Sequence, residues 1–197
     1  GNRDTLKEVK PGSYQTTFIQ GVRGVIYTLE VKYKGTSYMA SRRIPDQIIS
    51  IDSLYTEFLE ESILQDEGYY ASIYAQDLPN VENYYRYKVF VNGEVYIFDE
   101  DTDEEEEDDN LYLDQDKFFD GQYYNITFPQ NLKLGDSVSV ELYNINKASY
   151  DYYKTLIEAI GASGVAAPSN PISNFNNNAL GNFNAYVFSR KTVRVEG

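Results

Sequence analysis

The 197-residue sequence has no His, no Cys and no Trp, and only 17 Lys and Arg against 31 Asp and Glu. Each shortage excludes a chemistry. Without His or Cys the chain builds no Ser-His-Asp or Cys-His nucleophilic site, no imidazole or thiolate zinc site and no disulfide. Carboxylates, Ser/Lys pairs, tyrosine hydroxyls and metals held by oxygen remain. A net charge of −14 and a pI near 4.4 repel phosphate backbones and anionic headgroups, which argues against nucleic acid and against direct binding to a membrane surface. Absence of Cys fits any compartment. No run approaches the roughly 18 apolar residues of a transmembrane helix. The chain opens on Gly1 in place of Met, which reads as a processed or cloned chain; if an export signal existed, it is expected to have been removed upstream.

What is present is strand-like. The 42% hydrophobic content suffices for a core, in one domain of ordinary size or two small ones. Tyr14 to Ile19 and Val25 to Tyr33 are β-branched and aromatic runs separated by Gly21 to Gly24, and Thr36 to Ala40 follows the tight turn Lys34-Gly35. Residues 1–45 are therefore expected to form a three-stranded N-terminal β unit, with residues 46–197 as a second, larger β region. In that region strands are predicted at Ile48 to Phe58, Tyr69 to Ala75, Asn83 to Val91, Glu94 to Phe98, Tyr123 to Phe128, Ser137 to Tyr143, Phe183 to Ser189 and Thr192 to Val195. Asn92-Gly93 supplies the positive φ angles of a two-residue hairpin turn. From Ser149 the period changes: Tyr153, Leu156, Ile157 and Ile160 share one helical face, and Gly161 follows as a stop. The expected architecture is mainly β, an antiparallel β-sandwich, immunoglobulin-like or related, of about ten strands with one inserted α-helix at 149–160.

Three features suggest sites. Asp99 to Asp109 holds ten carboxylates in eleven positions; subtracting them leaves −4 on the rest of the chain. A solvated, self-repelling loop explains such a run, and calcium or a basic protein partner are the functional alternatives. Asp99, Asp101 and Asp103 begin with the spacing of a helix-loop-helix calcium loop, but Glu104 and Asn110 stand where that loop needs Gly and Glu. No other cofactor is expected. Among 20 Tyr, the clusters containing Tyr69, Tyr84, Tyr123 and Tyr152 are candidates for a ligand or partner surface, with sheet-face packing as the competing explanation. Acids of the glycosidase type, such as Asp77, Asp114, Asp120 and Asp136, are too many to rank, and turn-capping accounts for those beside Gly or Pro, so an enzyme is not expected. Seven Asn between Asn170 and Asn184 mark an ordered loop, 168–184, anchored by Ile172, Phe175, Leu180 and Phe183.

The order of several short motifs is familiar: Tyr27-Thr28-Leu29, Tyr38-Met39-Ala40, Ile51-Asp52-Ser53-Leu54, Asn83-Tyr84-Tyr85-Arg86, Leu134-Gly135-Asp136 with the helix to Leu156, Asn170-Pro171 to Ser173-Asn174, and Leu180-Gly181-Asn182-Phe183. In these the chain, from about Gly12 onward, resembles domain of unknown function 4249, a family of bacterial outer-membrane lipoproteins commonly encoded beside TonB-dependent transporters. The resemblance implies a non-catalytic accessory or binding lipoprotein of a nutrient-uptake system, outside the cytoplasm at the outer membrane or cell surface of a Gram-negative bacterium. It implies an outer-membrane transporter or other surface protein as partner and membrane contact only through a lipid anchor on a Cys ahead of the segment matching Gly12 to Ile19; it names no ligand, and a glycan enters as a candidate ligand only through the tyrosine rings, which can stack on sugars. An adhesin-like protein-interaction module is the alternative. Asn83, Arg86, Asn170, Asn174 and Gly181 are expected to be structural, with Arg86 pairing a carboxylate while Tyr85 packs.

Overall fold

A computed structural model describes residues 2–63, 66–96, 111–128, 132–160 and 170–197. Along these residues run β1 (Lys7–Lys10), β2 (Ser13–Gln15), β3 (Ile26–Tyr33), β4 (Thr36–Arg43), β5 (Ile51–Leu59), β6 (Gly68–Gln76), β7 (Tyr84–Val91), β8 (Glu94–Val95), β9 (Tyr112–Gln115), β10 (Tyr123–Thr127), β11 (Ser137–Ile145), α1 (Lys147–Ile160) and β12 (Val187–Arg194). All strand pairings are antiparallel. Three strands in the order β10-β6-β5 face a sheet ordered β12-β11-β7, whose far edge pairs with β8 at one end and β9 at the other.

Alternation builds the core between these two sheets. Ala71, Ile73 and Ala75 of β6 point inward against Tyr85, Tyr87 and Val89 of β7 and Val138, Val140 and Leu142 of β11, all fully buried. Phe128, Leu132 and Val195 close the ends. Burying each of the larger side chains contributes about 1.5–3 kcal/mol, so this layer dominates the stability of the fold. Parity also divides the Tyr123-Tyr124 pair: Tyr124 is 7% exposed in the core, whereas its neighbour Tyr123 is 54% exposed on the opposite face.

The side chain of Asn144 ties the layers together. Buried on β11, it accepts from the N–H of Ile49 at 2.8 Å and donates to the Ile49 carbonyl at 3.0 Å, so its amide acts as a short piece of strand against the chain entering β5. Helix α1 covers the outer side of β7. Asn146 caps it, its side chain accepting from the Ser149 N–H at 3.1 Å. Tyr150 packs on Tyr84, and the Arg86 guanidinium lies 4.7 Å from the centre of the Tyr153 ring while donating to its hydroxyl.

Several expectations are corrected. Tyr14 to Ile19 is not one strand in a three-stranded meander: Ser13–Gln15 pairs with Lys7–Lys10, and the next residues leave the ladder. The cause is Asp4, whose carboxylate gathers the N–H groups of Thr17, Phe18 and Ile19 and the Thr17 hydroxyl. Although lost hydration pushes its pKa up, these bonds hold Asp4 well below the ordinary carboxylate range. Phe183 to Ser189 and Thr192 to Val195 are not two strands, because β12 runs unbroken through Arg190-Lys191, opposite Glu141 and Val140. The short β9, adjoining the acidic run, was not anticipated. On α1, Tyr153 and Leu156 are half-buried, but Ile157 is 40% and Ile160 55% exposed: the helix docks on β7 and β9 through its earlier turns and its last turn extends past them.

The Asn-rich segment is ordered by its amides more than by its apolar residues, since Ile172 and Leu180 are exposed. Asn174 accepts from the Phe183 N–H and donates to the Phe183 carbonyl, while Asn176 and Asn177 bond Met39 and Ser37 of β4. Replacing Asn144 by Ala removes both bonds to Ile49 and leaves that main chain buried and unpaired. The variant is expected to lose about 2–4 kcal/mol in urea unfolding, whereas Leu156→Ala, truncating a half-buried residue, should lose about 1–2 kcal/mol.

Candidate functional site

Two surfaces of the sandwich gather chemistry. The first is the outer face of the β10-β6-β5 sheet. The residues of β5, β6 and β10 that alternate away from the core include Tyr55, Tyr74 and Tyr123, exposed by 36%, 40% and 54%. The rings of Tyr74 and Tyr123 stack with centroids 5.1 Å apart and planes within 3°. Asn125, opposite Tyr74 in the ladder, donates to the Tyr55 hydroxyl, and Gln76 is exposed beside Tyr123. Exposed aromatic rings bordered by a carboxamide and phenolic hydroxyls suit a ligand that presents both C–H faces and hydroxyl groups.

The second surface lies at one end of the sandwich, where the 77–83 connection meets the 116–122 segment. Asp77, Asp116 and Asp120 converge there, one carboxylate oxygen of each lying within 4.8 Å of the others. Each also binds the main chain of the facing segment. Asp77 accepts from the Gly121 N–H at 2.9 Å and from the buried Tyr85 hydroxyl; Asp116 accepts from the Asn83 N–H at 2.8 Å; Asp120 accepts from the Asn80 N–H at 2.8 Å. Gly121 is required at this approach: its φ is +70°, and a Cβ there would stand 2.7 Å from that of Pro79. Burial raises the Asp116 pKa above its ordinary value; the Asn83 amide opposes the rise, and the charges of Asp77 and Asp120 add to it. Burial also raises Asp114 on β9, again against an adjacent amide. Tyr85 is pushed far above the usual phenol range by burial and by its bond to Asp77, so it remains a protonated donor. These three acids are the described residues best placed to share a hard cation, and their hydrogen bonds equally make them a clasp between two loops. A cleft of about 450 Å³ adjoins the clasp, lined in part by Asp46, Leu78, Glu82, Tyr84 and Ile145.

The tyrosines chosen from the sequence do not share a surface. Tyr123 belongs to the stacked pair, Tyr84 lines the cleft and packs on Tyr150, Tyr69 packs edge-on against Phe58 beside the core, and Tyr152 lies edge-on to Tyr153 on the helix. Tyr55, Tyr74 and Asp116 went unnoticed. Alternation within β5 and β6 places both tyrosines on one face, but only the register brings Tyr74 to Tyr123. Of the acids considered, Asp77 and Asp120 join the clasp, and Asp136 accepts from the Lys133 N–H and from the Asn92 side chain. Asp99, Asp101 and Asp103 lie outside the described residues. Asn83 and Asn174 bond the local main chain, and Gly181, with φ of +140°, accepts the Ser173 hydroxyl through its carbonyl. Asn170 is exposed, and Arg86 joins β7 to α1 through Tyr153.

Fold and surfaces define a class: a mainly β, antiparallel sandwich with an outward tyrosine face and an acidic end. The chain belongs to the family described as Domain of unknown function (DUF4249), whose model matches residues 1–192. No curated protein and no solved structure matches it.

Removing Asp77 tests the clasp. Asp77→Ala leaves the Tyr85 hydroxyl and the Gly121 N–H without their acceptor and is expected to cost about 2–4 kcal/mol, while Asp77→Ala combined with Tyr85→Phe should recover part of it. Asp116 has the opposite sign. Because its folded pKa is raised, the folded state takes up a proton first and gains stability as pH falls through that raised value. Asp116→Asn keeps an acceptor for Asn83 without the charge, so its melting temperature should equal or exceed wild type at pH 7, and that advantage should shrink as acidification protonates Asp116 in the wild type.

Proposed function

We propose that this protein is a non-catalytic, extracytoplasmic binding or accessory lipoprotein of an outer-membrane nutrient-uptake system that works with a TonB-dependent transporter. It acts at the outer membrane or cell surface of a Gram-negative bacterium and recognises a glycan or a similarly polyhydroxylated ligand. The exposed Tyr55, Tyr74 and Tyr123 face carries this reading. The core uses the inward positions of these strands, yet three phenols stand on the outward ones, where their solvent exposure costs stabilisation that inward packing would provide. Membership of the family is the second support. An adhesin-like module, held to another protein through a sheet edge, is the alternative, and the outer edge of β3, which pairs with no strand among the described residues, favours it.

Glycan-array binding followed by titration separates the two. On the first reading wild type binds a subset of glycans, and Tyr74→Ala or Tyr123→Ala weakens that binding about five- to thirtyfold, in line with about 1–2 kcal/mol for losing an aromatic contact. Melting temperatures near wild type would show that both variants fold. Binding to no glycan, with retained capture of an outer-membrane protein, supports the adhesin reading instead.

A further inference from the structure

The ribbon β3–β4 is joined to the sandwich unequally at its two edges. Lys34 and Gly35, with φ of 46° and 82°, form the two-residue turn that closes the Tyr33–Thr36 pair, so Leu29, Val31 and Tyr33 direct their main-chain groups toward β4. The odd-numbered residues of β4 face the other way, and there Met39 N–H and C=O and the Ser37 carbonyl are bonded by Asn176 and Asn177. Thr28, Glu30 and Lys32 present their main-chain N–H and C=O groups on the outer edge of β3, which pairs with no strand among the described residues. Val31 is 46% and Tyr33 60% exposed along that edge. A two-stranded ribbon is marginal by itself, and such an edge is a template for a further strand.

The sequence of that edge is complementary to itself. In Leu29-Glu30-Val31-Lys32-Tyr33 the apolar residues share one face and the charged residues the other. Antiparallel pairing of two copies about a two-fold axis at Val31 sets Glu30 opposite Lys32 twice, Leu29 opposite Tyr33 twice and Val31 opposite Val31. Both Glu30–Lys32 pairs are then hydrogen-bonding positions, because these are the residues whose main-chain groups point outward. Shifting the axis to Glu30 sets like charges face to face, which disfavours it.

We propose that β3 is a self-association edge, at which a second copy of this chain pairs antiparallel through residues 29–33 to make a continuous β4-β3-β3-β4 sheet. The interface is isologous, as expected of a two-fold dimer. It is weak, since residues 1–45 carry eight Lys and Arg against three Asp and Glu and the two ribbons repel over a distance. Ionic strength of about 0.5 M confines that repulsion to a few ångströms while leaving directly apposed charges in contact.

Charge exchange tests the register. In sedimentation at about 0.5 M salt, wild type is expected to show concentration-dependent dimer. Lys32→Glu and Glu30→Lys alone each set like charges across the axis and should weaken it about tenfold or more; an equimolar mixture of the two variants, or the double variant E30K/K32E, should restore it. Since the chain has no Cys, V31C provides a second readout independent of the charges. Facing Val31 residues at a non-hydrogen-bonded position have Cα atoms about 4.5 Å apart, within disulfide reach, so V31C should cross-link on mild oxidation much faster than I26C. A monomer at every concentration up to about 1 mM, unchanged dimer in both single charge variants, or equal cross-linking of V31C and I26C would overturn the proposal.

Discussion

A phenol hydroxyl in the middle of an apolar layer must have an acceptor, and much of the molecule is arranged around that requirement. Tyr85 is fully buried between the sheets and donates to Asp77. Asp77 must therefore be buried too, and its second oxygen is taken by the Gly121 N–H. That bond draws the 116–122 segment over the end of the sandwich, where Asp116 and Asp120 in turn bind the facing main chain. Tyr87 meets the same requirement weakly, donating to the Tyr124 hydroxyl at 3.4 Å. A core built on Leu and Val would need no such clasp, so the acidic end of the molecule follows from the choice of tyrosine inside it.

Asparagine does for the outer layers what tyrosine and aspartate do for the core. The amide carries a donor and an acceptor on one rigid plane and can take the place of a strand's N–H and C=O. Asn144 does this to Ile49 and Asn174 to Phe183, while Asn176 meets Met39 with its side-chain oxygen and its own main-chain N–H, each time joining segments that are not strand neighbours. The helix, the Asn-rich segment and β4 are thus connected mainly by polar contacts. Polar junctions of this kind fix geometry while contributing little net stability apiece, so the stability of the molecule resides chiefly in the sandwich core.

The two faces of the small sheet divide the labour. Inward, Ala71, Ile73 and Ala75 accept the tyrosines of β7; outward, Tyr55, Tyr74 and Tyr123 remain in solvent. The outer edge of β3 pairs with no strand among the described residues, and its charge pattern matches its own reverse. Period-two patterning thus sets both which side chains of the small sheet turn outward and which main-chain groups of β3 lie on its outer edge.

Local chemistry was sufficient to read the strands in β3 to β7, the Asn92-Gly93 turn, the helix after Asn146 and the mainly β sandwich, because alternation, turn residues and helical period are properties of neighbouring residues. The order of short motifs was sufficient for the family. Tertiary structure alone decided the rest. Residues Tyr14 to Ile19 alternate like a strand, but a carboxylate thirteen or more positions away captures their N–H groups. Ile157 and Ile160 share a helical face with Tyr153, but the sheet beneath does not extend to them. Tyr74 meets Tyr123, and Asp116 meets Asp77, only through pairing register and loop approach across about forty residues or more of chain. Composition therefore announced tyrosine and acid in abundance, and long-range pairing chose which of them stand together.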